Sequence, residues 1–231
     1  MTFWNGEAYR MCTLGADPKQ TFVVLGNVFL TSPEYQGFGR TDSAYLTDLY
    51  VAFLSRLPDS GGLTYWTGQL AQGMPRSILA NSFLFAPEFS TTMQQVFGVA
   101  PSRAEVYMVL NLYGGLLHRL PDSGGFAYWV GQMRNAQCVG AAAVAQVIDQ
   151  VSAQFIGSPE YASLNRTNSG YVQDLYYAML QRGGDLAGFS FWVAQLGNGT
   201  LNRAQVRQQF LATPEMQAQI NAVAAQGCLP P

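Results

Sequence analysis

The chain has 231 residues, nearly half of them apolar, with only 11% charged and a formal net charge of −2. With a single lysine, Lys19, there is no basic stripe for nucleic acid and no polybasic patch for anionic lipid. No stretch reaches the ~18 consecutive apolar residues that a membrane-spanning helix needs.

Met1 to Leu14 lacks both the basic start and the apolar run of a signal peptide. The expected settings are the cytoplasm, a mature or excised part of a larger protein, or export without a cleaved leader. Residues 1–17 show no period and read as an irregular arm carrying Trp4. From Pro18 the spacing of Phe22, Leu25, Val28 and Phe29 predicts a helix with proline in its first turn.

That helix ends in Phe29-Leu30-Thr31-Ser32-Pro33-Glu34-Tyr35. The phrase returns at Phe83–Phe89, Phe155–Tyr161 and Phe210–Met216. A second phrase occurs three times, from Leu49 to Trp66, Leu112 to Trp129 and Leu175 to Trp192. Tyr50, Tyr113 and Tyr176 are 63 residues apart, as are Trp66, Trp129 and Trp192. A fixed period signals a repeat architecture. It divides the chain into an arm and half repeat (1–40), then repeats at 41–101, 102–165 and 166–231.

Each opening helix is expected to start at a cap. Thr41 to Ser43 serve the first repeat, and Ser102 with Glu105 forms a capping box in the second. Pro58, Pro121 and Gly183-Gly184 are expected to stop these helices. A short aromatic helix and a third helix follow in each unit. Insertions are expected at Thr91–Ala100 and at 135–145. Nothing alternates with period 2, so the fold class is all-α, with three tandem repeats and a half repeat packed as one domain.

Tyr50, Arg56, Pro58-Asp59, Gly62-Leu63, Tyr65-Trp66 and the closing Phe83…Pro87-Glu88-Phe89 resemble the bacterial repeat family DUF4214. They are more distantly similar to phycobilisome linker domains. The resemblance implies an all-α module of secreted or surface proteins, without an established activity. The third copy departs from the pattern, with Gly184 where the family has proline.

Three sets of residues are candidates for function. Asp59, Asp122 and Asp185 either cap the aromatic helices or contribute to a calcium site. An EF-hand reading fails, because the ligand positions after Asp59 hold Gly61, Leu63 and Leu70. Arg56, Arg119 and Arg182 are expected to pair with the repeated Glu34, Glu88, Glu160 and Glu215, tying helix to helix. Trp66, Trp129 and Trp192 read as core, whereas Trp4 is the candidate for an exposed ligand-binding aromatic.

His118 is the only histidine and is not repeated, since Ser55 and Gln181 stand in its place; no nucleophile motif accompanies it. The three cysteines allow a Cys12–Cys228 or a Cys138–Cys228 bridge with one thiol left over, or three buried thiols. The expected function is a non-catalytic structural or interaction module outside the cell, binding other chains or associating head to tail with itself. The alternative is a glycan-binding module, with or without calcium. No metal, nucleic acid or membrane insertion is expected.

Overall fold

The computed structural model describes residues 2–99 and 103–228. Among these there are helices and no strand. The chain runs α1 (Thr2–Thr13), α2 (Pro18–Thr31), α3 (Pro33–Gly37), α4 (Asp42–Leu54), α5 (Ser60–Ala71), α6 (Arg76–Leu84) and α7 (Pro87–Phe97). It continues with α8 (Ala104–Leu112), α9 (Ser123–Val139), α10 (Ala141–Ile156), α11 (Pro159–Ser163), α12 (Asn168–Leu175), α13 (Leu186–Gly197), α14 (Arg203–Leu211) and α15 (Pro214–Ala224). Helices α8 and α12 each pass into a π-helical turn, Tyr113–Leu117 and Tyr176–Leu180.

The repeats form because their boundaries are chemically marked. Thr41 and Thr167 accept from the third amide of α4 and α12, and Asp59, Asp122 and Asp185 do the same for α5, α9 and α13. Each closing helix carries proline in its first turn, where a missing N–H leaves nothing unsatisfied. The opening helices stop earlier than the Pro58, Pro121 and Gly183-Gly184 signals suggested. Ser55, His118 and Gln181, 63 residues apart, turn the chain with left-handed φ of 53°, 55° and 52°.

Two insertions prove to be helix. Thr91 to Phe97 prolong α7, and 135–145 extend α9 and begin α10, broken only at Gly140 with φ 132°. Ala100, at the end of the first insertion, and the expected cap Ser102 lie outside the described residues. Glu105, whose expected partner Ser102 is not described, follows an N-cap, Arg103, that makes no side-chain cap bond. Its side chain is buried and meets Arg103 and Arg134 at 3.3 and 3.4 Å. A carboxylate so placed gains more from two guanidiniums than from one backbone amide.

The N-terminal segment corrects the expectation of an irregular arm, for it is helix α1. Trp4 meets Phe29 edge to face at 5.0 Å, as Trp129 meets Phe155 at 6.1 Å, and Phe3-Trp4 repeats the T-shaped contact of Tyr65-Trp66. Helix α1 is therefore a divergent copy of the aromatic helix, Trp4 lying 62 residues before Trp66. The molecule consists of two similar halves, α1–α7 and α9–α15, with α8 and its π-helical turn before the second.

The second half is tied at its end by a disulfide between Cys138 and Cys228. This corrects the Cys12–Cys228 pairing. Helix α15 packs on α9 and α10, bringing Cys228 to the end of α9, while Cys12 is exposed and free on α1. The two π-helical turns pack against each other at the centre. A Cβ on Gly115 would come within 2.6 Å of the Ala178 amide nitrogen, so only glycine permits this approach.

Candidate functional site

The closing phrase is the joint of the array, and its side chains link in two directions. Its glutamate reaches back to the arginine after the preceding opening helix: Arg56 to Glu88 at 2.7 Å, Arg119 to Glu160 at 2.5 Å and Arg182 to Glu215 at 3.1 Å. Each arginine also lies over a tyrosine of that helix, 4.8 Å from Tyr50, 5.3 Å from Tyr113 and 5.6 Å from Tyr176. The same tyrosines cover the phenylalanine that begins the phrase, Tyr50 on Phe83, Tyr113 on Phe155 and Tyr176 on Phe210. Arg56 and Arg119 hold Glu88 and Glu160 below the usual carboxylate range by hydrogen bonding.

The forward link is a tyrosine to the aspartate of the next opening helix. Tyr35 donates to Asp48 and Tyr161 to Asp174, both at 2.8 Å, and Arg40 and Arg166 complete the two clusters. Phe89 and Asn111 stand at the corresponding places in the middle of the chain, so that link is absent there. The last phrase ends in Met216, which is fully buried. Helices α7 and α15, after which no forward link follows, are the two long closing helices.

The first phrase is the exception. Phe29 has Trp4 on one side but no tyrosine over it, and Glu34 has no ion pair among the described residues. The reason is topological: α8 packs on α9 and α15 of the second half as well as on α2, and among the described residues no helix stands in the corresponding place before the first half. Corresponding residues show the difference. Phe29 is 42% exposed against 7% for Phe155, and Val96 of α7 is 65% exposed against 0% for Val223 of α15. Phe22 stacks on Phe97 at 5.4 Å, and with Phe29 and Met93 it lines an apolar groove of about 440 Å³. Phe29, Val96 and Phe97 are thus exposed apolar groups of two helices packed together, α2 and α7, and Glu34 stands on α3, which also packs on α2.

The sequence-derived candidates fall as follows. Asp59, Asp122 and Asp185 each accept from a glycine amide, at 2.8, 2.8 and 2.6 Å. Those amides lower Asp59 and Asp122 below the usual range. Among the described residues no three metal-ligating side chains cluster. Trp66 and Trp192 are half-buried and Trp129 buried, whereas Tyr65, Tyr128 and Phe191 beside them are exposed. Trp4 packs against the core, and Phe3 and Tyr9 are the exposed aromatics of α1. The sequence reading missed Phe29, Val96 and Phe97, although the surplus of closing over opening phrases was the signal for the first.

The family model "Domain of unknown function (DUF4214)" matches residues 27–93, 80–142 and 152–220. No curated protein and no solved structure matches the chain.

Proposed function

The chain belongs to the DUF4214 family, and from that premise we propose that it is a non-catalytic interaction module whose front face receives a helix from another polypeptide segment. The observation that carries this reading is that Phe29 is exposed and Glu34 has no ion pair among the described residues, where internal copies are met by tyrosine and arginine. The occupant is accordingly a helix with Tyr-x5-Arg near its end, as in Tyr113 and Arg119, supplied from outside residues 1–231. The chain's own three opening helices are engaged internally, which favours such a partner over simple head-to-tail self-association.

The two ends differ in a way that supports a face kept for binding. At the tail the forward tyrosine has given way to buried Met216, and Cys228 is bonded. At the front the backward-linking glutamate and phenylalanine remain. Covering Phe29, Val96 and Phe97 would contribute up to ~1.5–3 kcal/mol for each side chain taken fully from water. The disulfide favours an oxidising compartment, in keeping with a cell-surface or extracellular setting.

A peptide with the sequence of residues 104–122 tests this reading. It should bind the full chain with a Kd on the order of tens of micromolar, and Phe29→Ala should weaken it. Absence of saturable binding to the wild-type chain would overturn the proposal.

A further inference from the structure

The halves meet around a second feature, a polar chamber of about 350 Å³ between α2, α6, α12 and the two π-helical turns. This size is at the lower end of the range for small-molecule sites. Its deep wall includes Asn81, 3% exposed, whose side-chain amide has no hydrogen-bond partner among the described residues. The side chain of Asn27, 6% exposed, uses only its amide nitrogen, in a long 3.5 Å contact with the Gly114 carbonyl. Tyr177 also lines the chamber, and its hydroxyl is buried without a hydrogen-bond partner among the described residues, which costs stability unless something in the chamber completes it.

The charges of the chamber are already matched. Asp174 meets His118 at 2.9 Å, Arg166 at 2.5 Å and Tyr161 at 2.8 Å, so its carboxylate is engaged on both oxygens. No carboxylate is left for a metal, and the one guanidinium is neutralised, so nothing selects an anion. What remains is neutral and of both polarities: the Asn81 amide, the Asn27 side-chain carbonyl, and the hydroxyls of Tyr177, Thr31 and Ser77, of which Thr31 already donates to the Asn27 backbone carbonyl at 2.8 Å and can still accept. Ser77 donates to Gln173 at 2.7 Å and can still accept. Amides and hydroxyls converging at fixed positions match a ligand that presents several hydroxyl groups, each both donor and acceptor.

His118 adds a structural reason to regard the chamber as built. It lines the chamber from a left-handed backbone position at the end of a π-helical turn, a kind of local irregularity that recurs at functional sites. Ser55 and Gln181 hold the equivalent backbone, so the turn does not require histidine.

We propose that the chamber binds a small neutral polyhydroxylated molecule of monosaccharide size. This is independent of the helix-receiving face, because no chamber residue belongs to that face's contacts.

The test is saturation-transfer NMR on the full chain with glucose, galactose, mannose, N-acetylglucosamine and myo-inositol, each at about 10 mM, a concentration suited to weak binding. At least one should bind, and Asn81→Leu should weaken it at least tenfold while leaving the helical melting curve in place. Thr31→Val, at the exposed rim, provides a second variant that does not disturb the core and should also weaken binding. No saturation transfer from any of the five to the wild-type protein would overturn the proposal. So would affinity unchanged in both variants.

Discussion

Trp4 stands 5.0 Å from Phe29 in an edge-to-face contact, the counterpart of Trp129 against Phe155. The relationship turns an apparent N-terminal arm into part of the repeat system. It also isolates what differs between the halves: Phe155 has Tyr113 on its other side, and Phe29 has no such ring. The consequences can be measured.

The clusters around Asp48 and Asp174 share one design at different depths. Asp174 is almost wholly buried, while the side chain of Asp48 is 29% exposed. Removing one partner from a buried ion pair strands the other charge, whereas exposed pairs are screened by water. Asp174→Ala should destabilise the fold by ~3–5 kcal/mol, and Asp48→Ala by ~1 kcal/mol or less. Urea denaturation of the two variants checks the ratio; equal losses would refute the depth argument.

The repeated aspartates act as caps in this account. Asp122→Ala and Asp185→Ala should each lower stability by ~1 kcal/mol, and Asp59→Ala should change it in the same direction. Adding calcium should leave the melting temperature of the wild-type chain where chelator leaves it. A calcium-dependent rise that disappears in these variants would show that the loops do more than cap.

Acid should loosen the joints. In the folded state Glu88 and Glu160 titrate below their ordinary value of 4.5, through hydrogen bonds from Arg56 and Arg119. Asp59 and Asp122 titrate below 3.8, through glycine amides. Groups with a depressed folded value bind fewer protons folded than unfolded, so their stabilisation is complete above the unfolded value. It is lost as pH falls through the folded one. The melting temperature should therefore drop on acidification below about pH 4.5. A constant value down to about pH 3 would contradict this.

Reduction should act through Cys138 and Cys228 alone. Their bridge closes a loop across 90 residues, containing the third repeat except its last three residues. Constraining so long a loop typically stabilises by ~2–4 kcal/mol, so Cys138→Ser should lower the melting temperature by roughly 5–15 °C. Cys12→Ser should change little. The thiol of Cys12 is raised above its ordinary value, by partial burial and then by Asp17, which should also slow its alkylation at neutral pH.

Much of the fold was legible because the repeats carry their own punctuation. Period, the threonine and aspartate caps, the proline starts and the pairing of Arg56, Arg119 and Arg182 with Glu88, Glu160 and Glu215 are local or fixed-step features that the structure contains, whereas Glu34 and the Ser102–Glu105 box depart from them. Helix α1 was not legible because its apolar face is short and Gly6 interrupts it. The dipeptide Phe3-Trp4, the same as Phe191-Trp192, was the available signal. Spacing alone could not choose between Cys12 and Cys138, since the choice depends on α15 folding back onto α9. The chamber was hidden for a similar reason. Asn27, Asn81 and His118 are not a repeated set and meet only where the halves pack.

The central claim, that the front face receives a helix carrying tyrosine and arginine, is tested most directly by a double-mutant cycle. Binding of the 104–122 peptide would be measured with and without Phe29→Ala in the protein and Tyr113→Ala in the peptide. The account predicts a coupling of ~0.5–1.5 kcal/mol, the range for an aromatic pair in contact. Strictly additive effects, or binding indifferent to Phe29, would mean that the peptide docks elsewhere and that the front face is not its receiver.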